Sequence, residues 1–248
     1  MTSAKFTFSF DLDAATRHLA ATHPNLARVI EQCTPFQLDE ALAESPYDAL
    51  LEAIAYQSIS GKAATTIFAR VKALSAAGGI PAPQEMLKLR TQALRKAGLS
   101  GAKVLAMKDL AQKTLDGIVP TMAEAEKLSD EELVERLISV RGIGAWTVEM
   151  FLIFRLGRPD VLPIHDLGVQ KGWSVTYNKK HKPKPKELLK FGEQWRPYRT
   201  VASWYMWRAF ERAGYATTNK IRERKPRKKK SAKQTKAPST PRKKSKAK

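Results

Sequence analysis

The chain has 248 residues, 43% of them hydrophobic, which is enough to bury one large core or two small ones. The formal net charge is +20, and residues 220–248 carry 15 Lys and Arg against one acid, which leaves +6 for the rest of the chain. The single cysteine, Cys33, excludes an intrachain disulfide and a thiolate set for zinc or an iron–sulfur cluster, and no apolar run approaches the ~20 residues that span a bilayer.

The pattern of apolar residues predicts a mostly α-helical protein. Residues 6–10 (FTFSF) alternate with period two and predict one short N-terminal strand. Apolar residues three and four apart then predict helices near residues 26–30, 50–55 and 67–74. Further helices are predicted over residues 84–96, 102–115, 131–139 and 146–156, with a last one between Pro197 and Gly214. This gives roughly ten helices, without internal repeats.

Two segments are rich in lysine. Residues 178–186 (NKKHKPKPK) predict a surface loop. Residues 220–248 have no apolar period and predict a disordered tail, which fits either a polyanion-binding arm or a nuclear address. The N-terminus lacks a signal-peptide pattern. We therefore expect an intracellular protein, in the nucleus of a eukaryote or in the nucleoid or cytoplasm of a bacterium.

The stretch VRGIGAWT, residues 140–147, joins two predicted helices by a turn with two glycines. Unpaired amides at the start of a helix, together with the helix dipole, form a site for an anion. Gly142 and Gly144 would allow the backbone to approach a phosphate closely. Taken alone, the two glycines favour a simple helix–helix corner over a phosphate site.

The surrounding residues resemble a known family. The segment LISVRGIGAWTVEMFLIF resembles the helix–hairpin–helix signature, and LGRPDVLPIHDLGVQKG resembles the loop and aspartate of the helix–hairpin–helix DNA glycosylase superfamily. Other blocks are similar to the type II 3-methyladenine DNA glycosylases of bacteria and fungi, namely SPYDALLEAIAYQSISGKAATTIFARV and WRPYRTVASWYMWR. The resemblance implies one glycosylase domain over residues 1–219, with the hairpin at about residues 131–156 and an active-site cleft between two helical subdomains.

The implied reaction is hydrolysis of the N-glycosidic bond of alkylated purines, such as 3-methyladenine and 7-methylguanine, after base flipping in base excision repair. Asp166 matches the catalytic aspartate, which would stabilise the oxocarbenium ion and position water. The same residue fits the N-cap of a following helix, and both roles are compatible. Trp146 and Trp207 match the base pocket, and Tyr56 is a further candidate for it, whereas Trp204 and Tyr205 fit ordinary core aromatics.

The resemblance also assigns DNA contacts. Four hairpin residues would bind a DNA phosphate, namely Gly142, Ile143, Gly144 and Thr147. The corner Ser58, Ile59 and Ser60 resembles the loop that inserts a wedge into the DNA. Further phosphate contacts are expected from exposed basic residues, namely Lys62, Arg141, Lys171 and Arg199. Backbone carbonyls of Ile138, Val140 and Ile143 would hold Na⁺ or K⁺, with no cofactor required.

Trp146 stands where bifunctional members of the superfamily carry a Schiff-base lysine, so a monofunctional enzyme without lyase activity is expected. His165 departs from the family pattern and is expected to pack, and Asp160 fits a Pro-Asp turn. The partner would be double-stranded DNA with alkylated bases, bound by a monomer away from membranes. The alternatives are a non-catalytic protein that binds abasic or damaged DNA, and a general helix–hairpin–helix binding module.

Overall fold

The computed structural model describes residues 10–38 and 45–214. The predicted strand, apart from Phe10, and the predicted disordered tail lie outside these residues. Within them there are thirteen α-helices and no strand. The helices are α1 Leu12–Thr22, α2 Pro24–Gln32, α3 Pro46–Tyr56, α4 Gly61–Lys72, α5 Pro83–Lys88, α6 Thr91–Lys96, α7 Gly101–Leu115, α8 Met122–Ala125, α9 Asp130–Ile138, α10 Ala145–Phe154, α11 Leu167–Thr176, α12 Pro185–Gly192 and α13 Arg199–Arg212. A short 3-10 helix, Glu193–Trp195, precedes α13.

Short polar residues begin many of the helices. At α9 the predicted capping box is present: Ser129 Oγ accepts the amide of Glu132 at 3.2 Å, and the Glu132 carboxylate accepts the amide of Ser129 at 2.9 Å. Four helices, α2, α3, α5 and α12, begin with proline. The amides of the first helical turn have no partner within the helix, so a proline, which has no amide hydrogen, loses no hydrogen bond there.

One predicted helix is wrong. Residues 84–96 form two helices, α5 and α6, because Leu89 and Arg90 adopt extended backbone conformations between them. Neither residue is a glycine or a proline, so the sequence carries no breaker at this point. The break explains part of the difference between the roughly ten helices predicted and the thirteen found.

The helices pack most closely within two groups. Helices from the two ends of the described chain form one group, in which α11 and α13 make the most extensive contact, α1 and α2 pack beside them, and α12 packs on the 3-10 helix that precedes α13. The middle of the chain forms the other group, in which α7 packs against α3 and α5, and α10 packs against α9 and α3. All described residues belong to one compact unit. None of the helices in residues 10–38 and 45–214 has the length and apolar character of a membrane span.

Two glycines explain the close contact of α11 with α13. A Cβ atom on Gly172 would lie 1.9 Å from the backbone oxygen of Met206, and one on Gly168 would lie 2.7 Å from Trp207 Cδ1. Because the two glycines are four residues apart, they lie on one face of α11. The missing side chains allow α13 to bring Trp207 to the amino end of α11.

Candidate active site

Asp166 is the N-cap of α11, as the sequence predicted. Its backbone is extended, and its Oδ1 accepts the amide of Val169 at 2.8 Å. The positive end of the helix dipole therefore lies beside the carboxylate.

Two tryptophans also donate to this carboxylate. Trp146 Nε1 donates to Asp166 Oδ2 at 2.7 Å, and Trp207 Nε1 donates to Oδ1 at 2.8 Å. Hydrogen bonds to a charged acceptor are short and strong, and these two reach both oxygens from different helices. The arrangement fixes the orientation of the carboxylate while Trp146 itself stays 46% exposed. Trp207 is held in turn by Phe154, whose ring stacks on it at 5.6 Å.

A cleft of about 800 Å³ runs along α3 and α10 beside α13. Its wall is mainly aromatic and apolar, and includes Tyr56, Trp146, Met150, Phe151, Phe154 and Trp204. Such a cleft is large enough for a purine and offers ring faces for stacking. Tyr56 and Trp146 thus lie in one cavity, and Trp207 and Asp166 adjoin it through their contacts with Phe154 and Trp146. As predicted, Trp204 and Tyr205 are core residues, 6% and 1% exposed, although Trp204 also reaches the cleft.

The turn between α9 and α10 is held by side chains from other helices. Gly142 has a φ of +79°, a conformation that glycine adopts at low cost. Gln57 Nε2 donates to the carbonyl of Gly142 at 2.9 Å. From α7, the Asp109 carboxylate accepts the amide of Arg141 at 2.7 Å. These bonds hold the turn next to the corner between α3 and α4.

Not every hairpin residue fits its expected role as a phosphate donor. The amide of Ile143 donates to the carbonyl of Val140 at 3.0 Å, and the amide of Thr147 donates to the carbonyl of Gly144 at 2.9 Å. The side chains of Ile143 and Thr147 are 5% and 7% exposed. Both amides are therefore already paired within the chain, and a phosphate contact by these two residues stays a prediction. The amides at the first turn of α10, from Gly144 to Trp146, carry no hydrogen bond within the described chain.

The corner between α3 and α4 separates the three wedge candidates. Ser60 is the N-cap of α4, with its Oγ 3.4 Å from the amide nitrogen of Ala63, so its side chain is not a free wedge. Ser58 has a φ of +59° and lines the cleft. Ile59 is 39% exposed and is the apolar residue of the three.

Several other expectations need correction or refinement. Arg199 is largely covered, with a side chain that is 12% exposed and an Nε atom 2.7 Å from Asp160 Oδ1, so it is not an exposed phosphate contact. Asp160 lies in a turn as predicted, and its ion pair adds a structural role. His165 is exposed, so the expectation that it packs is wrong. Lys62 and Arg141 are exposed.

Glu149 also lies near the site, although no sequence motif pointed to it. It is the one charged residue of α10, AWTVEMFLIF, and its Oε2 is buried without a hydrogen-bond partner among the described residues. Burial, and then the charge of Asp166, raise the pKa of Glu149 to about 7. A single acidic residue in an otherwise apolar helix next to the hairpin is the sequence pattern that could have indicated a buried carboxyl group.

No cluster of three or more His, Cys, Asp or Glu side chains that could hold a metal ion occurs in the part of the chain that the structure describes. Lys113 Nζ donates to the carbonyl of Ser139, between the proposed cation ligands Ile138 and Val140. The Val140 carbonyl already accepts one hydrogen bond, and a carbonyl oxygen has a second lone pair for an ion.

Comparison with known proteins gives consistent matches. The family described as "HhH-GPD superfamily base excision DNA repair protein" matches residues 51–197. The chain is 37% identical over 215 residues to DNA-3-methyladenine glycosylase 1 of Schizosaccharomyces pombe, covering 86% of this chain and 93% of the relative. It is 29% identical to the alkylbase DNA glycosidase-like protein mag2 of the same yeast, covering 79% and 93%.

The fold of this chain is similar to those of two solved DNA glycosylase structures. The 3-methyladenine DNA glycosylase of Schizosaccharomyces pombe in complex with abasic DNA superposes with a TM-score of 0.72 at 38% identity, over 79% of this chain and 95% of that one. A DNA-3-methyladenine glycosidase from Bacillus halodurans gives a TM-score of 0.73 at 31% identity, over 85% and 94%.

Proposed function

Because the chain belongs to the HhH-GPD superfamily of base excision DNA repair proteins, we propose that it is a DNA glycosylase that removes alkylated purines from double-stranded DNA. One observation carries the proposal: the carboxylate of Asp166 is oriented by two indole N–H groups and a helix N-terminus beside an aromatic cleft. The two groups of helices would be the two subdomains that flank the cleft. The relatives support the substrate class, since their names include 3-methyladenine.

The proposed reaction needs little acid catalysis. A purine alkylated at N3 or N7 carries a positive charge and leaves readily as a neutral base. As the glycosidic bond breaks, positive charge develops on the sugar, and the Asp166 carboxylate would stabilise it and orient the attacking water. The two indole donors keep the carboxylate in place without contributing a charge of their own.

The cationic base would enter the cleft and stack on its aromatic wall, with Tyr56 and Trp146 as the candidates nearest the hairpin. Ile59 is the best-placed wedge for the gap that the flipped nucleotide leaves, because it is the exposed apolar side chain of that corner. The free amides from Gly144 to Trp146 would bind a phosphate of the same strand.

The proposal also covers the product of the reaction and a bound monovalent cation. Trp146 cannot form a Schiff base, so the enzyme would leave an intact abasic site. Carbonyls of Ile138, Val140 and Ile143 would hold Na⁺ or K⁺, which would add positive charge near the bound phosphate.

The test is to incubate the protein with methylated duplex DNA and to separate the released bases by chromatography. We expect free 3-methyladenine or 7-methylguanine, strand cleavage only after alkali, and no covalent adduct with borohydride. Adduct formation would refute the monofunctional assignment. Tight binding to abasic DNA without any base release would instead identify a non-catalytic damage binder.

A further inference from the structure

The proposed reaction does not use the lysine-rich segment that follows α11. Residues 178–186, here called the lysine loop, contain five lysines, one histidine and no acid. All five lysine side chains are exposed. In a surface of mixed charge such a run is unbalanced and attracts anions.

The lysine loop borders a depression of about 650 Å³ at the carboxyl end of α11. Its basic side chains are those of Lys171, Lys179, Lys180, His181 and Lys182, and no acidic residue lines it. The apolar lining is limited to Val175 and Ala213. A protein partner would usually need an apolar centre, whereas an array of phosphates needs only the positive charges.

The loop is built into the fold. Asn178 has a φ of +53°, and the amide of Lys179 donates to the carbonyl of Ser174 at 2.8 Å. Ser174 Oγ also donates to the carbonyl of His181 at 3.1 Å. These hydrogen bonds fix the backbone of the lysine loop, and therefore the positions of its lysine Cα atoms on the surface.

One buried side chain joins the depression to the loop that leads to Asp166. Gln170 is 4% exposed, and its Oε1 accepts a hydrogen bond from Lys182 Nζ at 3.1 Å. Its Nε2 donates to the carbonyl of Ile164 at 2.7 Å, two residues before Asp166. The depression is therefore fixed relative to the candidate catalytic carboxylate.

We propose that this lysine depression binds the phosphodiester backbone of duplex DNA outside the lesion, an inference that rests on the proposed function. The ten residues of α11 separate it from Asp166 by about 15 Å. Phosphates of one strand follow each other every ~3.4 Å along the duplex axis, so about 15 Å measured along that axis would place the contact about four or five base pairs from the flipped nucleotide.

The experiment compares two doubly substituted full-length chains that lose the same charge. Lys179→Gln/Lys180→Gln changes the depression, and Lys88→Gln/Lys96→Gln changes two exposed lysines of α5 and α6. Binding to a 25-base-pair duplex with a central tetrahydrofuran abasic analogue is measured at several salt concentrations. We expect the slope of log Kd against log salt to fall by about one to two in the first variant, at about 0.9 per phosphate contact, and to change less in the second.

A second 25-base-pair duplex carries uncharged methylphosphonate linkages three to six base pairs from the abasic analogue on both sides, and on it the two variants should bind alike. Equal slopes for both variants on the long duplex would overturn the proposal. Base release at saturating protein is measured separately and should be unchanged in Lys179→Gln/Lys180→Gln. A wild-type protein that binds DNA but releases no base would refute the proposed reaction without affecting the slope comparison.

Discussion

Substituting Glu149 by glutamine tests the electrostatics of the site directly. Glutamine keeps the size of the side chain but cannot ionise. In the folded protein, burial and the neighbouring Asp166 raise the pKa of Glu149 to about 7, from an ordinary value of 4.5. The folded state therefore keeps a proton that the unfolded chain has already lost between these two pH values.

The sign of the effect follows from this difference in bound protons. Because the folded state binds more protons, the free energy of unfolding falls as the pH rises from about 4.5 to about 7, and then stays level for this group. The shift corresponds to about 3 kcal/mol in full. Since Glu149 is only half-buried, solvent screening lowers the expected loss to about 2 kcal/mol.

The assay is urea unfolding of wild type and Glu149→Gln at pH 5 and pH 8. We expect the stability of the wild type relative to the variant to fall by about 2 kcal/mol between the two pH values, while all other titrating groups cancel in the difference. Glu135→Gln, on the exposed side of α9, is the matched control. A wild-type-minus-variant difference that is the same at pH 5 and pH 8 would refute the argument. In an Asp166→Asn background the pH-dependent loss should shrink but persist, because burial is the larger cause.

Three further changes test other parts of the account. Trp146→Phe removes one indole donor from Asp166, and we expect base release in a single turnover to slow about tenfold, for a loss near 1.4 kcal/mol; an unchanged rate would show that this bond does not matter. Gly172→Ala places a Cβ atom against the backbone of α13 and should lower the free energy of unfolding by about 2 kcal/mol or more, whereas Gly101→Ala, with open space around it, should not; equal unfolding midpoints would contradict the packing. Removing residues 220–248 should weaken DNA binding mostly at low salt and leave the rate of base release at saturating protein unchanged, and a slower release would assign the tail a role in the chemistry.

The sequence predicts the parts of the site that depend on neighbouring residues. The Ser129 capping box, the glycines of the hairpin and the N-cap position of Asp166 are local patterns, and the structure contains each of them. The tryptophans near the cleft came from the family resemblance. Their roles in base binding stay predictions.

What the sequence does not predict depends on elements that are distant along the chain. The bonds from Trp146 and Trp207 to one carboxylate require α10, α11 and α13 to converge, and that convergence depends on the two glycines of α11. The expectation that Arg199 contacts DNA failed for the same reason. Its ion-pair partner, Asp160, lies 39 residues away along the chain, so the pair is not visible as a local pattern. The pKa of Glu149 likewise follows from burial that one helix alone does not show.

We propose that the Asp166 carboxylate, held by two tryptophans, drives base release. The most direct measurement is the single-turnover rate of base release from methylated duplex DNA by wild type and by Asp166→Asn, together with the affinity of both for abasic DNA. Asparagine keeps one acceptor oxygen for the neighbouring donors but carries no charge. We predict a loss of at least about 100-fold in rate with an affinity within a few-fold of wild type. A variant that releases the base within tenfold of the wild-type rate would contradict the account.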